Sequence, residues 1–157
     1  MASWQQFAME QPELAAAVRS RFEANKHHVL ATLRHDGSPR VSGTEVQFRD
    51  PDLTFGSMWQ AIKARDLQRD GRYALHSNPG DESMSGGDAK ISGLAIEVTD
   101  PADLREYYEA TKPPAPEFHL FRLTLSDVVL TSVDPGGEFL LIQTWRPGGP
   151  VRSVERR

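Results

Sequence analysis

Residues 29–73 read VLATLRHDGSPRVSGTEVQFRDPDLTFGSMWQAIKARDLQRDGRY, and this stretch decides the fold. Asp36-Gly37 marks a hairpin turn, because glycine tolerates the positive φ that a tight two-residue turn demands. The segment before it, His28–Arg34, is predicted as a strand, with Arg40–Phe48 as its return. Along that return strand Val41, Gly43, Glu45 and Arg49 face opposite to Ser42, Thr44, Val46 and Phe48. Asp50-Pro51-Asp52 makes a second turn into a third strand, Leu53–Ser57. Two tight turns in succession favour an antiparallel meander over a βαβ unit. The pattern then switches to a basic helix over Gln60–Arg69, with Ile62 and Leu67 expected to face inward. That switch brings Ser57, Lys63 and Arg65 to the mouth of a strand-to-helix turn, where free backbone N–H groups and positive charge suit an anion such as phosphate.

Working outward, Leu14, Val18 and Phe22 recur at four-residue spacing and predict an amphipathic helix over Pro12–Asn25. Beyond the central stretch, Arg72–Ser77 and Ala89–Val98 read as strands. The intervening Asn78–Asp88 has almost nothing to bury and is expected to be a mobile loop. Pro101–Ala110 is a second amphipathic helix. Phe118–Val133 reads as one long strand bent near Ser126-Asp127, and Asp134-Pro135-Gly136-Gly137 turns it into Glu138–Trp145. Pro147–Arg157 lacks apolar periodicity and is expected to be an arm. The sum is one mainly β domain over residues 1–157, a six- or seven-stranded antiparallel β-barrel with flanking helices.

The 157 residues carry a net charge of −4 and no cysteine. The acidic balance argues against bulk binding to nucleic acid, and the missing thiols exclude disulfides and a cysteine nucleophile. The first residues have no basic n-region, and no apolar run is long enough to span a bilayer, so no membrane partner is expected and a cytoplasmic location is.

Chemistry-bearing motifs are few. On a helix, Lys63 and Arg65 could simply pair with Asp66 and Asp70; their position directly after a strand is what favours a phosphate role, with Ser57 adding a hydroxyl. Gly86-Gly87-Asp88-Ala89-Lys90 lacks the spacing of a phosphate-binding loop and leads into a strand rather than a helix. Among His27, His28, His35, His76 and His119 no pair has metal-ligand spacing, so no metal is expected. No serine sits in a nucleophile elbow, and Asp81 and Glu82 lie in the loop, where an acid/base pair is hard to hold. Catalytic side chains are therefore not identifiable. Trp145-Arg146 at the end of the last strand could flank a planar cofactor by stacking, or the tryptophan could plug the barrel end.

The order of ATLRHDGSPRVSGTEVQF, LTFGS, KARDLQRDGRYAL, DAKISGLAIEV, FRLTLSDVVLTSV and FLLIQTWRPGG resembles the FMN-binding split-barrel family of pyridoxamine 5′-phosphate oxidase-like and flavin/deazaflavin oxidoreductases. That resemblance implies a split β-barrel and a homodimer with cofactor near the interface. It also implies FMN, or alternatively the deazaflavin F420, and an oxidoreductase moving hydride to or from a small-molecule substrate. Carried over by motif, Arg40, Val41, Ser42, Gly43 and Thr44 would contact the ring and ribityl chain. Ser57 and Met58 would line the next strand, and Lys63 would hold the phosphate with Arg65 as helper. Lys90, Trp145 and Arg146 would approach from a second subunit. Many family members read Ser-Arg-Lys where this chain has Ala61-Ile62-Lys63, which removes two phosphate donors. The alternative is a non-catalytic split barrel that binds a cofactor, haem or another tetrapyrrole.

Overall fold

A computed structural model describes residues 1–80 and 83–157; the reading of Asp81 and Glu82 lies outside the described residues. The described elements follow the order α1 (Trp4–Glu10), α2 (Pro12–Glu23), β1 (His28–Leu33), β2 (Pro39–Thr44), β3 (Gln47–Arg49), β4 (Asp52–Met58), α3 (Ile62–Arg69) and β5 (Arg72–His76). They continue with β6 (Asp88–Val98), α4 (Pro101–Thr111), β7 (Phe118–Leu123), β8 (Asp127–Val133), β9 (Leu140–Trp145) and β10 (Arg152–Arg156). All described strand pairings are antiparallel, and the two tight turns account for β1–β2 and β3–β4.

The sheet branches at β6. One path runs β10-β9-β8-β6-β5-β1-β2, while β6 also pairs with β7, which leads through β4 to β3. The eleven residues of β6 divide between these partners: Asp88–Ser92 lie against β8 and Ala95–Val98 against β7. Gly93 sits at the changeover. A Cβ there would lie 1.9 Å from the Thr124 carbonyl oxygen, in the break between β7 and β8. That break is tied to β6 by Thr124 N–H on the Leu94 carbonyl (2.9 Å) and Ser126 N–H on the Ser92 carbonyl (2.8 Å). The sheet thereby curls into a half-barrel around Leu30, Leu53, Phe55, Leu75, Ile91, Phe121, Leu123 and Val128, all buried.

Helices α1 and α2 close the open side. Ser3 accepts from the Gln6 N–H (3.1 Å) and caps α1, which buries Trp4 and Phe7. Phe7 packs on Trp145 with ring centroids 4.7 Å apart, and Trp4 meets Phe48 edge-on at 4.7 Å. Leu14, Val18 and Phe22 of α2 face the same core, as their spacing predicts.

Four expectations are corrected. The described residues hold ten strands rather than six or seven, because Arg40–Phe48 divides into β2 and β3, Phe118–Val133 divides into β7 and β8, and β10 is added. The expected C-terminal arm contains β10, paired with β9 through a turn closed by Gly149 N–H on the Arg146 carbonyl (3.0 Å). Its five residues are all exposed, so no burial imposes a pattern on them. Helix α1 lies where no helix was predicted. Ile62 is not inward: it is 59% exposed, while Leu67 is buried.

Gly93→Ala is expected to destabilise the fold by about 1–3 kcal/mol or more, the range for overpacking a fixed backbone contact. Urea unfolding followed by circular dichroism measures this. Unchanged stability would mean that β6 and the β7–β8 break are not in rigid contact.

Candidate functional site

The β4-to-α3 corner is built from several elements. Met58 O accepts from Ala61 N–H (3.1 Å), closing a turn with Trp59 and Gln60 at its corners, and Gln60 takes φ 65°. A positive φ at the third turn position is the type II arrangement, which usually selects glycine or asparagine. Here glutamine is held from two sides. Its N–H donates to His119 Nε2 on β7 (3.1 Å), and Arg65 donates to its side-chain oxygen. Because the backbone N–H can only donate, His119 Nε2 must accept. The His119 proton therefore sits on Nδ1, donated to Glu97 at 2.8 Å. Trp59 lies flat on this fixed imidazole, with centroids 4.6 Å apart and planes 10° apart.

Helix α3 is anchored by one buried carboxylate. Asp66 is 2% exposed and accepts from Thr32 Oγ1 (2.8 Å), Arg40 Nε (2.7 Å) and Arg69 (3.0 Å). Thr32 and Arg40 are cross-strand neighbours on β1 and β2, so Asp66 pins α3 to the sheet. Burial pushes this carboxyl upward, but the hydrogen bonds from Arg40, Thr32 and Arg69 outweigh it and leave it below its ordinary range.

Lys63 follows one residue into α3, a helix whose start lacks a side-chain cap. Its Nζ donates to the Gly43 carbonyl on β2 (2.9 Å) and stands 5.9 Å from the centroid of the Phe55 ring. Burial lowers its pKa, with Glu45 opposing. Among the described residues no carboxylate lies within ion-pair distance of it. Above Gly43, by contrast, an added Cβ would meet nothing within 4 Å.

The predicted residues divide into two groups. Lys63 brings α3 onto β2, so Arg40–Thr44, Ser57, Met58, Lys63 and Arg65 gather around one corner. Val41 and Gly43 face outward, whereas Arg40 is committed to Asp66 and Thr44 is buried with its hydroxyl on the Glu45 carbonyl (3.1 Å). Ser42 is half-buried; Ser57 is buried, its hydroxyl reaching the Met58 carbonyl at 3.4 Å; Met58 is exposed. Arg65 is spent on Gln60. Lys90 lies on the outward face of β6, opposite His76 and Val129. Trp145 and Arg146 are farther away, since β9 is separated from β2 by β8, β6, β5 and β1. Trp145 is fully buried against Phe7, so of the two roles open to it the indole takes the core one and not stacking on a ligand. Arg146 is exposed and paired with Asp127 (2.7 Å).

Reading by motif missed Trp59, Gln60 and Glu97, weighed His119 only as a metal ligand, and gave Asp66 the partners Lys63 and Arg65 where the structure gives it Arg40 and Arg69. Met58-Trp59 ahead of a basic helix was a legible signal, because apolar residues at a turn normally need a partner. The long-range pairing of His119 with Glu97 and Gln60 had none. Elsewhere, a cleft of about 690 Å³ runs beside α4, lined by Arg49, Asp52, Asp103, Tyr107 and Arg122 among others, and it includes none of the predicted residues.

The profile of the pyridoxamine 5′-phosphate oxidase family matches residues 14–136, well over half of the chain. The chain belongs to this family. Proteins of known structure share its fold. A pyridoxamine 5′-phosphate oxidase-related, FMN-binding protein from Nostoc punctiforme is 15% identical with a TM-score of 0.66, over 94% of this chain and 96% of its own. PhzG from Burkholderia lata, solved with tetrahydrophenazine-1-carboxylic acid, is 16% identical with a TM-score of 0.63, over 96% of this chain and 91% of its own. HutZ, a haem storage protein from Vibrio cholerae, is 18% identical with a TM-score of 0.55, over 73% of this chain and 89% of its own. No curated protein sequence matches the chain. At these identities the solved relatives establish the pyridoxamine 5′-phosphate oxidase fold alone. No helix among the described residues is long and apolar enough to cross a membrane.

Asp66→Asn is expected to cost about 3 kcal/mol at neutral pH, since it leaves Arg40 and Arg69 without their carboxylate. The folded-state pKa of Asp66 lies below 3.8, so its contribution is fully present above that pH and is lost as pH falls through the folded value. Thermal melts at pH 7 and pH 3 should therefore show a large gap between wild type and variant that narrows in acid. An equal gap at both pH values would contradict the assignment.

Proposed function

We propose that the corner between β2, β4 and α3 binds the phosphate end of a flavin, and that the protein is a flavin-dependent oxidoreductase acting on a small organic substrate. FMN is the reference cofactor and F420 its alternative. The observation that carries this reading is Lys63: a partly buried ammonium whose pKa is lowered by burial, hydrogen-bonded to a neutral carbonyl and with no described carboxylate within ion-pair distance. Burying a cation is costly, and an incoming phosphate would relieve that cost with a charge-assisted bond. The uncapped N–H groups at the start of α3 point the same way.

The donor set fits such a group. Lys63 and the first turn of α3 would hold the phosphate. The outward faces of Val41 and Gly43, with open space above Gly43, would take the flat ring against the strand. Bound there, the flavin would supply hydride transfer, while the protein binds, orients and keeps water away. That division of labour fits the scarcity of acid/base motifs in the sequence.

A homodimer with the cofactor near its interface belongs to the same reading. Alternate residues on the sheet's outer face leave Val29, Val41, Val133 and Val154 between 38% and 71% exposed, apolar groups that a second copy could cover. Lys90 stands on that face and could reach the cofactor of the other subunit. A location in the cytoplasm would agree with a reducible cofactor.

Lys63→Ala is expected to weaken FMN binding at least tenfold with the far-ultraviolet circular dichroism spectrum unchanged, as read by quenching of flavin fluorescence on titration. Equal affinity in wild type and variant would sink the phosphate assignment.

A further inference from the structure

One hydrogen bond at the β4-to-α3 corner depends on the absence of a proton. The Gln60 N–H donates to His119 Nε2 (3.1 Å), so that nitrogen must carry a lone pair, and the ring proton lies on Nδ1 toward Glu97 (2.8 Å). Histidine is the side chain that ordinarily changes charge between about pH 5 and 8. With a second proton both ring nitrogens are donors, and Nε2–H would face the Gln60 N–H. The ring is 6% exposed, so water has little access to separate the two donors.

The groups around the ring define what a protonated His119 would meet. Strand β6 supplies Glu97, whose other oxygen accepts from Gln68 of α3 (2.8 Å). Strand β4 places Ser57 opposite in register, and on β7 itself Phe121 lies tilted at 6.4 Å. The turn contributes the Gln60 N–H and the stacked Trp59 indole, with Arg65 of α3 held on the Gln60 side chain. Among the described residues Glu97 is the ion-pair partner of His119, so an imidazolium keeps a counter-charge on one side and an indole face on the other. What it lacks is an acceptor at Nε2.

The turn can supply that acceptor without coming apart. Type I and type II turns share their closing hydrogen bond and differ in the orientation of the central peptide. Here the closing bond is Ala61 N–H on the Met58 carbonyl (3.1 Å), and the central peptide joins Trp59 to Gln60. Rotating that peptide changes Trp59 ψ and Gln60 φ. It turns the Gln60 N–H away from β7 and brings the Trp59 carbonyl round in its place. The same rotation takes Gln60 from φ 65°, a left-handed conformation that glutamine disfavours, to the type I value of about −90°. The neutral imidazole thus holds the turn in the form its sequence favours less. Trp59 keeps the φ common to both turn types, so its indole stays on the ring throughout.

We propose that His119 is a proton-operated switch of this corner. Neutral, it accepts from Gln60 and holds a type II turn; protonated, it donates to the Trp59 carbonyl and the turn becomes type I. The switch exchanges the direction of a backbone donor and acceptor immediately ahead of α3. It goes beyond the flavin reading and stands without it.

Nuclear Overhauser spectra of the isotopically labelled protein at about pH 8 and about pH 5 test the switch, with the His119 ring resonances followed in between. In the type II turn the Trp59 Hα lies beside the Gln60 amide proton; in type I the Trp59 and Gln60 amide protons lie together instead. The first contact is expected at the higher pH and the second at the lower, with one midpoint shared by the contacts and the His119 ring. His119→Gln keeps a side-chain acceptor but takes up no proton, and should show one pattern throughout. Gln60→Gly, for which a positive φ is free of strain, should hold the type II contact to lower pH than wild type. An unchanged contact in wild type, whether or not the His119 ring titrates, would overturn the proposal. So would a flip that survives in His119→Gln, or a general loss of amide dispersion at the lower pH, since acid would then act on another group or on the whole fold.

Discussion

Strand β6 pairs with β5 and β8 along its first half and with β7 along its second, and it can do so only because Gly93 lets the Thr124 carbonyl approach where a side chain would stand. That contact sets the curl of the whole sheet. It forces the chain that would run straight from Phe118 to Val133 to break at Thr124–Ser126, sending β7 to one branch and β8 to the other. With β7 directed toward β4, His119 arrives opposite Ser57, next to the turn that leads into α3. The corner that carries the candidate site is thus a consequence of a backbone approach on β6.

The electrostatics of α3 follow from how its charges are distributed. Asp66 gathers Arg40, Arg69 and Thr32 into one buried cluster, which fastens the helix to β1 and β2. Such a cluster offsets its own desolvation through several charge-assisted bonds and ties both guanidiniums to the fold, with one net positive charge left over. Lys63, one turn earlier on the same helix, is hydrogen-bonded to a carbonyl, stands over the Phe55 ring and has no described carboxylate within ion-pair distance. Among the described residues the contrast separates Lys63 from the other two cations of α3 more sharply than exposure does, since Arg65 is exposed and still committed to Gln60.

Much of this was legible in the sequence, and the reasons are local. Asp36-Gly37 fixed the β1–β2 hairpin, Leu14, Val18 and Phe22 traced α2, and the switch after Ser57 located the strand-to-helix corner with Lys63 on it. What escaped reading depends on partners distant in the chain. Ile62 looks inward by helical period, yet α3 is pinned by Asp66 with that side chain to solvent. Trp145 reads equally as a ring for a ligand or a plug for the barrel end, and only Phe7 of α1, packed against it, decides for the plug. Strand β10 has no apolar alternation because both of its faces are exposed, so only its pairing with β9 reveals it. His119 carried no motif at all; its role comes from Glu97, twenty-two residues before it, and Gln60, fifty-nine before.

The central claim is that a flavin docks where β2, β4 and α3 meet. Amide chemical-shift mapping of the isotopically labelled protein during a flavin titration tests it most directly. With a flavin docked there, saturable shifts are expected to concentrate at Val41–Thr44, Ser57–Trp59 and Ile62–Ala64. Shifts centred instead on Arg49, Asp103, Tyr107 and Arg122 beside α4, or no saturable shifts anywhere, would contradict it.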